Sequence, residues 1–272
     1  MQVSAYIPCY NAQATIREAV SSVLGQDHPP QEIFIVDDGS TERIPELQGV
    51  RIVRLAANQG RGAARARAMQ EARYELVLGC DASLLLDRAF LSLALPWFED
   101  ERVAAVFGWI KEAGLSTASS RWQGRHLFRS DIVQHLTFEK TLASGCFVVR
   151  RSSVESVGGF DHMLRSGEDA HLGKRLRAAG FKVIFDPRLF ARTELDKGIL
   201  GVLERYSRWN SPDGFGVWDY LRQINYSLKV MVAADLKAGD IPSAFISLLC
   251  PHYQFWARLF IIDVAKGATT IR

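Results

Sequence analysis

Short apolar runs alternate with amphipathic segments along the first half of the chain. Apolar and β-branched runs predict strands over residues 2–7, 32–36, 50–55, 75–79 and 103–107. Pro8 is expected to end the first strand, and Asn11 is expected to cap a helix that continues to about Gln26. Strands that alternate with helices are typical of βαβ units. We therefore predict an α/β fold with a mostly parallel central sheet flanked by helices.

The pattern is less regular after residue 109. The runs "SGCFVVRR" and "KVIF" predict two more strands, separated by an amphipathic helix over residues 168–179. Beyond about residue 195, long helical patterns contain many aromatic residues. The chain is therefore predicted to have a sheet domain over residues 1–210 and a helical, aromatic-rich C-terminal extension over 211–272.

Composition excludes several classes of protein. The 272 residues are 48% hydrophobic and 23% charged, which is ordinary for a globular chain. A net charge of +3 is too small to indicate a nucleic-acid partner. The four cysteines lack metal-ligand spacing and are expected to be buried and reduced. The chain opens on a strand pattern without a leader, and its apolar runs are shorter than the roughly 20 residues of a membrane helix. We therefore expect a cytoplasmic protein.

Polar residues follow each of the first four predicted strands, in the motifs "IPCYN", "VDDGST", "NQGRGAARARA" and "CDAS". In an open α/β sheet, ligands bind at the carboxyl ends of the strands. Backbone amides of a Gly-rich loop at a helix start can hold an anion, and six arginines accompany one acid over residues 51–73. Asp81 is placed to hold a divalent cation. Alone, each motif is more often a turn, a cap or a solvated face, but together they predict a nucleotide diphosphate site.

These motifs, with "VGGFDHMLRSGEDAHLGKRLRAAGFKV" and more faintly "RYSRW", resemble the family 2 glycosyltransferases. The resemblance covers about residues 1–210. It implies the GT-A fold, a nucleotide-sugar-binding catalytic domain, sugar transfer with inversion, and a place in cell-envelope or polysaccharide biosynthesis. The donor it implies is a nucleotide-diphosphate sugar, with a UDP-sugar favoured, and the acceptor is a carbohydrate or is lipid-linked.

The resemblance also implies roles for individual residues. Asp37 would contact the nucleobase, Arg65 would face the nucleotide, and Asp38 is expected to fix its own turn. Asp169 would be the general base that takes the acceptor proton, while Glu168 braces a loop or cap. Acids in a first helical turn also commonly have a structural role alone, because a negative charge there interacts favourably with the helix dipole. The nucleotide-binding residues implied are Pro8, Tyr10, Asn11, Asp37, Asn58, Gly60, Arg65 and Asp81.

The chain departs from the family pattern at three places. The metal-binding DxD is Asp81-Ala82-Ser83, so weak or nucleotide-dependent binding of Mn²⁺ or Mg²⁺ at Asp81 is expected. A family histidine is absent, and Glu194 and Asp196 are the candidate replacements. The QxxRW signature lacks its Gln. Arg208 would still approach the diphosphate, although a plain amphipathic helix explains it equally well.

Two questions stay open at the level of sequence. The aromatic stretch "HYQFWARLFIIDVAKG" could lie on the inner face of a membrane, or it could pack against the rest of the protein or a second copy, which is favoured. Besides an enzyme, the chain could be a degenerate module that binds a nucleotide sugar without transfer. A sugar nucleotidyltransferase is discounted because "PCYNAQ" is not a Gly-rich loop.

Overall fold

The structure is a computed structural model that describes residues 1–112, 114–193, 198–210 and 216–265, with the backbone alone at 258–265. The strands of this part of the chain are β1 (Val3–Cys9), β2 (Glu32–Asp37), β3 (Arg51–Arg54), β4 (Leu76–Cys80), β5 (Leu85–Leu86), β6 (Val103–Glu112), β7 (Cys146–Arg150) and β8 (Lys182–Thr193). They form one sheet in the order β3-β2-β1-β4-β7-β6-β8-β5.

The sheet is mixed. β1 pairs in parallel with β2 and β4, and β2 pairs in parallel with β3, as the βαβ pattern predicts. β7 instead pairs antiparallel with β4 and β6, and the short β5 pairs antiparallel with β8. Because β4 and β7 run in opposite directions, the end of β4 lies beside the start of β7, with Cys80 opposite Cys146. This register brings the residues before β7 to the edge where the parallel strands end.

Helices cover both faces of the sheet, as predicted. Those that belong with the sheet are α1 (Ile16–Leu24), α2 (Arg61–Glu71), α3 (Phe90–Ala94), α5 (Arg151–Ser156) and α6 (Glu168–Ala178), and a 3₁₀ helix follows α3 at Leu95–Glu99. One apolar cluster joins α1 and α3 to the sheet, and the other joins α2 and α6 to its opposite face. β4 is buried at every position, which explains its uninterrupted apolar sequence.

Two local predictions are wrong. β1 does not end at Pro8 but continues through it to Cys9, and its partner strand β2 continues to Asp37. Asn11 is not the cap of α1, which begins at Ile16 after Thr15. The backbone of Asn11 instead has a φ of 49°, in the left-handed region that Asn tolerates, and its side chain bonds to Thr41.

The chain divides into two compact units. The first comprises the described parts of Met1–Lys111 and Val133–Glu194, and the second those of Glu112–Ile132 and Leu195–Arg272. The second unit contains α4 (Ala118–His126), α7 (Gly198–Asn210), α8 (Val217–Tyr226), a π-helix (Ser227–Val232), α9 (Ala233–Lys237) and α10 (Ile241–Ala265). The domain boundary at residue 210 stays a prediction. The division into compact units differs from it because α4 and α7 pack with α10.

The second unit has its own apolar core. Trp122 of α4 packs there with Val202, Leu203 and Tyr206 of α7 and with Ile246 of α10. Among the described residues, none of the helices combines the length and the apolar character needed to cross a bilayer.

Candidate active site

The two adjacent acids at the end of β2 hold different partners. Asp37 is buried, and its Oδ1 accepts the Ser40 amide at 2.9 Å while its Oδ2 accepts Arg54 Nη1 at 3.0 Å. Asp37 therefore closes the turn, a role that was predicted for Asp38. Because each carboxylate has its own set of donors, the two like charges can lie side by side.

Asp38 instead holds the loop that precedes α2. Its Oδ1 accepts the Gln59 amide at 2.8 Å, and its Oδ2 accepts the Gly60 amide at 2.8 Å and Asn58 Nδ2 at 3.1 Å. Burial raises the pKa of Asp38, and the two backbone amides act in the opposite direction. Asp38 thus sets the position of Asn58 and Gly60, two of the predicted nucleotide-binding residues.

Asn11 ties the end of β1 to the turn after β2. Its amide donates to Ser40 Oγ at 3.0 Å, and its Oδ1 accepts both the Thr41 amide at 2.9 Å and Thr41 Oγ1 at 3.1 Å. Next to it, the Tyr10 side chain is exposed and Pro8 is half-buried. The structure therefore brings the predicted residues of β1 and β2 to one edge of the sheet.

The loop around Gly60 packs closely on the segment that precedes α6. The Gly62 amide donates to the Leu164 carbonyl at 3.0 Å, and a Cβ at Gly62 would lie 2.1 Å from the Asp161 carbonyl oxygen. Asn58 also bonds to Arg165. Glycine is therefore required at position 62 by close backbone approach, and the Gly-rich loop is linked to the helix that carries the predicted base.

Arg65 is buried at the centre of the site, with 1% of its surface exposed. Its Nε donates to Glu168 Oε1 at 3.0 Å, its Nη2 to Asp81 Oδ1 at 2.8 Å and its Nη1 to Tyr6 Oη at 3.1 Å. Burial opposes the charge of Arg65, but Tyr6, Asp81 and Glu168 hold its pKa well above the usual value. Burial raises the pKa of Tyr6 to about 12, so this phenol is neutral at neutral pH.

These contacts show how the ionic charges are balanced. Glu168 is buried like Arg65, whereas 28% of the Asp81 side chain is exposed. Removing Arg65 would leave the Glu168 charge buried without this partner, which is costly in a protein interior. That Arg65 faces the nucleotide stays a prediction, and the structure adds a second role for it, as the residue that joins Asp81 to α6.

Asp169 is held by Ser144, which lies just before β7. The Ser144 amide and Oγ both donate to Asp169 Oδ2 at 2.9 Å, and the Ala170 amide donates to Oδ1 at 2.8 Å. Ser144 is buried, while Asp169 is half-buried. The carboxylate is therefore oriented and still reaches solvent, the combination that a general base needs.

A closed ring of contacts results. Asp81 bonds to Arg65, and Arg65 bonds to Glu168. Asp169, which follows Glu168 in the chain, bonds to Ser144. Next to Ser144, the Gly145 carbonyl accepts the Asp81 amide at 2.9 Å, which closes the ring. The predicted metal residue and the predicted base thus belong to one connected structure. Sequence analysis missed Ser144, although its place directly before a strand in "SGCFVVRR" is a signal for a residue at the sheet edge.

The donor set for a metal is sparse. Within the described residues, no group of three or more His, Cys, Asp or Glu side chains could hold an ion. Asp81 is the carboxylate at the predicted position, and its neighbour Ala82 is buried. Divalent cations of this class take six or more oxygen ligands, so Asp81 fits a metal that is held mainly by its other ligands.

Arg208 lies on α7 in the second unit, where its side chain is exposed. Its contact with a diphosphate stays a prediction. Arg205, the first residue of "RYSRW", is buried and donates from Nη1 to Gln123 Oε1 at 2.6 Å, so it has a role within the second unit. Glu194 and Asp196, the predicted replacements for a family histidine, lie outside the described residues.

The family model described as Glycosyl transferase family 2 matches residues 4–158. A poly-beta-1,6-N-acetyl-D-glucosamine synthase from Staphylococcus epidermidis is 24% identical over 222 residues, which are 76% of this chain and 53% of the relative. The synthase from Staphylococcus aureus (strain COL) is 24% identical over 218 residues, 75% of this chain and 52% of the relative. The chain thus spans about half the length of the curated relatives it matches.

Solved structures show the same fold. The mannosyltransferase PcManGT from Pyrobaculum calidifontis, in complex with GDP-Man and Mn²⁺, has a TM-score of 0.59 at 19% identity and covers 99% of this chain and 76% of its own. S. aureus TarS 1-349 in complex with UDP-GlcNAc has a TM-score of 0.55 at 16% identity and covers 96% of this chain and 92% of its own. The predicted GT-A fold is confirmed.

Proposed function

Because this chain belongs to glycosyl transferase family 2, we propose that it moves a sugar from a nucleotide-diphosphate sugar to an acceptor hydroxyl group, with inversion at the anomeric carbon. The observation that carries this proposal is the ring of contacts in which Ser144 orients Asp169 and Arg65 joins Glu168 to Asp81. Such a ring holds a base for the acceptor and a carboxylate for the donor in one rigid geometry, which sugar transfer requires.

The donor that we propose is a UDP-sugar, held by the loops after β1, β2 and β3. Asp37 would accept a nucleobase N–H, and Tyr10 and Pro8 would flank the nucleoside. Asp37 is now paired with Arg54, whose side chain is about half exposed. Asp37 itself is buried, so the nucleobase N–H would have to replace the hydrogen bond from Arg54 and keep the carboxylate supplied with a donor. The titles of two neighbours, which name GDP-Man and UDP-GlcNAc, support a nucleotide-sugar donor.

Asp81 would hold Mn²⁺ or Mg²⁺ together with diphosphate oxygens and water. The ion, when bound, supplies positive charge that neutralises the departing diphosphate. Since Asp81 also accepts from Arg65, its orientation is set before the nucleotide arrives. We propose that Arg208 adds a cation to the diphosphate.

In the chemical step, the acceptor oxygen forms a bond to the anomeric carbon as the bond from that carbon to the diphosphate breaks. The proton of the acceptor hydroxyl passes to Asp169. Ser144 keeps the carboxylate of Asp169 in one orientation through two hydrogen bonds to Oδ2. Glu168 is a positioning residue, because its contact is with Arg65. The acceptor that we propose is a carbohydrate or a lipid-linked sugar.

A panel of UDP-, GDP- and dTDP-sugars tests the donor by thermal shift, with and without Mn²⁺. A ligand present at 100 times its Kd stabilises the folded state by about 2.7 kcal/mol, so the matching donor should give a clear shift. Asp37→Ala should lose that shift, while Glu46→Ala, at an exposed acid outside the site, should keep it. The donor that binds is then incubated with acceptor sugars, and release of the nucleoside diphosphate is measured.

A module that binds a nucleotide sugar without transfer is the second candidate. It is favoured by the single carboxylate at Asp81, because the second acid of the family motif is replaced by Ser83. Donor binding without nucleotide release, across acceptors and with Mn²⁺ present, would support this candidate against transfer.

A further inference from the structure

Several aromatic side chains of α8 and α10 lie at the surface of the second unit. The structure describes seven Phe, Tyr and Trp side chains in residues 213–257, and none of these seven is fully buried. Trp218 is 80% exposed and Trp256 is 54% exposed. Packing on the rest of this chain, which the sequence favoured for the tail, covers part of Tyr253 but leaves most of Trp218 and more than half of Trp256 exposed. Large aromatic surfaces in water are unfavourable, so their exposure indicates a partner.

One face of α10 forms an apolar stripe, here called the α10 stripe, which the exposed His252 interrupts at i+11. Its members are exposed and follow helical spacing at i, i+4, i+7, i+8 and i+15: Ile241, Phe245, Leu248, Leu249 and Trp256. The opposite face of α10 is already used, because Ile246 and Cys250 pack in the core of the second unit. Residues 241–257 contain no Asp, Glu, Lys or Arg. The helix is therefore apolar on a second face that the folded chain leaves in water.

The helical segment that packs beside α10 adds exposed apolar and cationic side chains. α8, the π-helix and α9 all contact α10. Apart from Trp218, the exposed apolar residues of this segment are Val217, Leu221, Tyr226, Leu228, Val230 and Leu236. The exposed cations are Arg222, Lys229 and Lys237.

Acidic side chains contribute little to this surface. Asp235 and Asp240 are buried, and they are paired with Arg125 and Arg121 of α4. Asp219 is partly buried and lies 3.7 Å from Arg222. The exposed charge of the segment between α8 and α10 is therefore positive, next to a stripe without charge.

We propose that the α10 stripe and the exposed side chains of α8 and α9 bind the surface of a bilayer that contains anionic lipids. Helices with Trp, Phe and Leu on one side and Lys or Arg nearby lie in the interface, where the apolar side chains enter the acyl region and the cations meet anionic headgroups. A second copy is the less favourable occupant. A two-fold interface sets the same surface against itself, which would place the like charges of both copies in one interface.

Sedimentation of the full chain with vesicles tests this binding. Vesicles of phosphatidylcholine with phosphatidylglycerol should bind the protein, and those of phosphatidylcholine alone should bind it more weakly. Phe245→Gln with Leu249→Gln should lower the partition coefficient by on the order of tenfold for each side chain removed. Val133→Gln is the matched control, because Val133 is an exposed apolar residue of the first unit, and it should bind like the parent. Circular dichroism and the melting temperature show whether each variant is folded.

The cations are tested separately. Lys229→Gln with Lys237→Gln should weaken binding to the anionic vesicles, make it less sensitive to salt, and leave binding to phosphatidylcholine unchanged. Failure of the parent protein to sediment with either vesicle overturns the proposal. So does a parent dimer that Phe245→Gln with Leu249→Gln dissociates, since the stripe would then belong to a second copy. None of these outcomes depends on the transfer activity.

Discussion

Acids and arginines meet in both units of the protein, but with different exposure. In the second unit, Asp235 is buried and bonds to Arg125, to His126 at 2.8 Å and to Ser247 at 2.5 Å. In the first unit, Glu168 is equally buried, while Asp81 and Asp169 in the same network reach solvent. A fully enclosed acid with three donors stabilises a helical core, whereas an oriented acid with an open side can act on a ligand. Exposure on one side therefore separates the candidate active site from the structural ion pairs.

The largest expected effect is at the open acid of the first unit. Asp169→Asn keeps the size of the side chain but cannot accept a proton at neutral pH, so transfer should fall by about 10²–10⁴-fold. Steady-state rates with an established donor and acceptor measure this loss, and donor affinity should barely change. Asp161→Asn, at a nearby half-buried acid outside the ring, is the control. Normal turnover by folded Asp169→Asn would remove Asp169 from the mechanism.

The next effect concerns the arginine that pairs with a buried acid in each unit, Arg65 in the first and Arg125 in the second. Arg65→Met should lower the free energy of unfolding by about 3–5 kcal/mol, because it leaves Glu168 buried and charged without Arg65. Arg125→Met should cost less, since Asp235 keeps His126 and Ser247. Urea denaturation of both variants gives the comparison.

A second substitution shows whether the buried charge is the cause. Arg65→Met combined with Glu168→Gln should recover part of the lost stability, because no uncompensated carboxylate remains. Equal losses for the single and the double variant would indicate that packing of Arg65, rather than charge, is what matters.

Ser144 should have a smaller effect that acts through Asp169. Ser144→Ala removes one of the two hydrogen bonds to Asp169 Oδ2, and kcat should fall by about tenfold, or about 1.4 kcal/mol, with donor affinity unchanged. In the Asp169→Asn background the same substitution should have little further effect on kcat. Additive losses in the double variant would show that Ser144 acts independently of Asp169.

The smallest expected effect is a difference in pH dependence between the two units. Arg121 and Ser243 hold the pKa of Asp240 below its usual value, so this acid adds stability above pH about 4 that is lost as the pH falls further. Burial raises the pKa of Asp38, so its protonation on acidification favours the folded state. Relative to the parent, Asp240→Asn should lose less stability between pH 7 and pH 3, and Asp38→Asn should lose more, each by on the order of 1 kcal/mol. Denaturation midpoints at the two pH values measure the slopes, and slopes that change in the same direction would contradict the assignment.

Much of the architecture was predictable from the sequence. The alternation of apolar runs and amphipathic segments predicted the parallel strands β1 to β4 and the helices between them, and "GEDAHLGKRLRA" predicted α6 almost to the residue. The predicted family and GT-A fold are confirmed, whereas sugar transfer by this chain stays a proposal. The site roles and the boundary at residue 210 stay predictions. The antiparallel half of the sheet was not predictable, because an apolar strand has the same pattern in either direction.

The sequence by itself determined which residues stand at the strand ends, since each motif lies at the end of its own strand: Asn11 after β1, Asp37 at the last position of β2, Arg65 in the helix after β3 and Asp81 after β4. Only the tertiary structure decided which partner each residue holds. Arg65 meets Glu168 across 103 residues of sequence, and Ser144 meets Asp169 across 25. Hydrogen-bond partners depend on distances of about 3 Å, and here those distances follow from the antiparallel register of β4 with β7 and from the close packing of Gly62 on residues 161–164. Spacing along the chain specifies neither the strand register nor this packing. The local assignments of Asn11 and Asp38 were therefore wrong, because long-range partners outweighed local turn preferences.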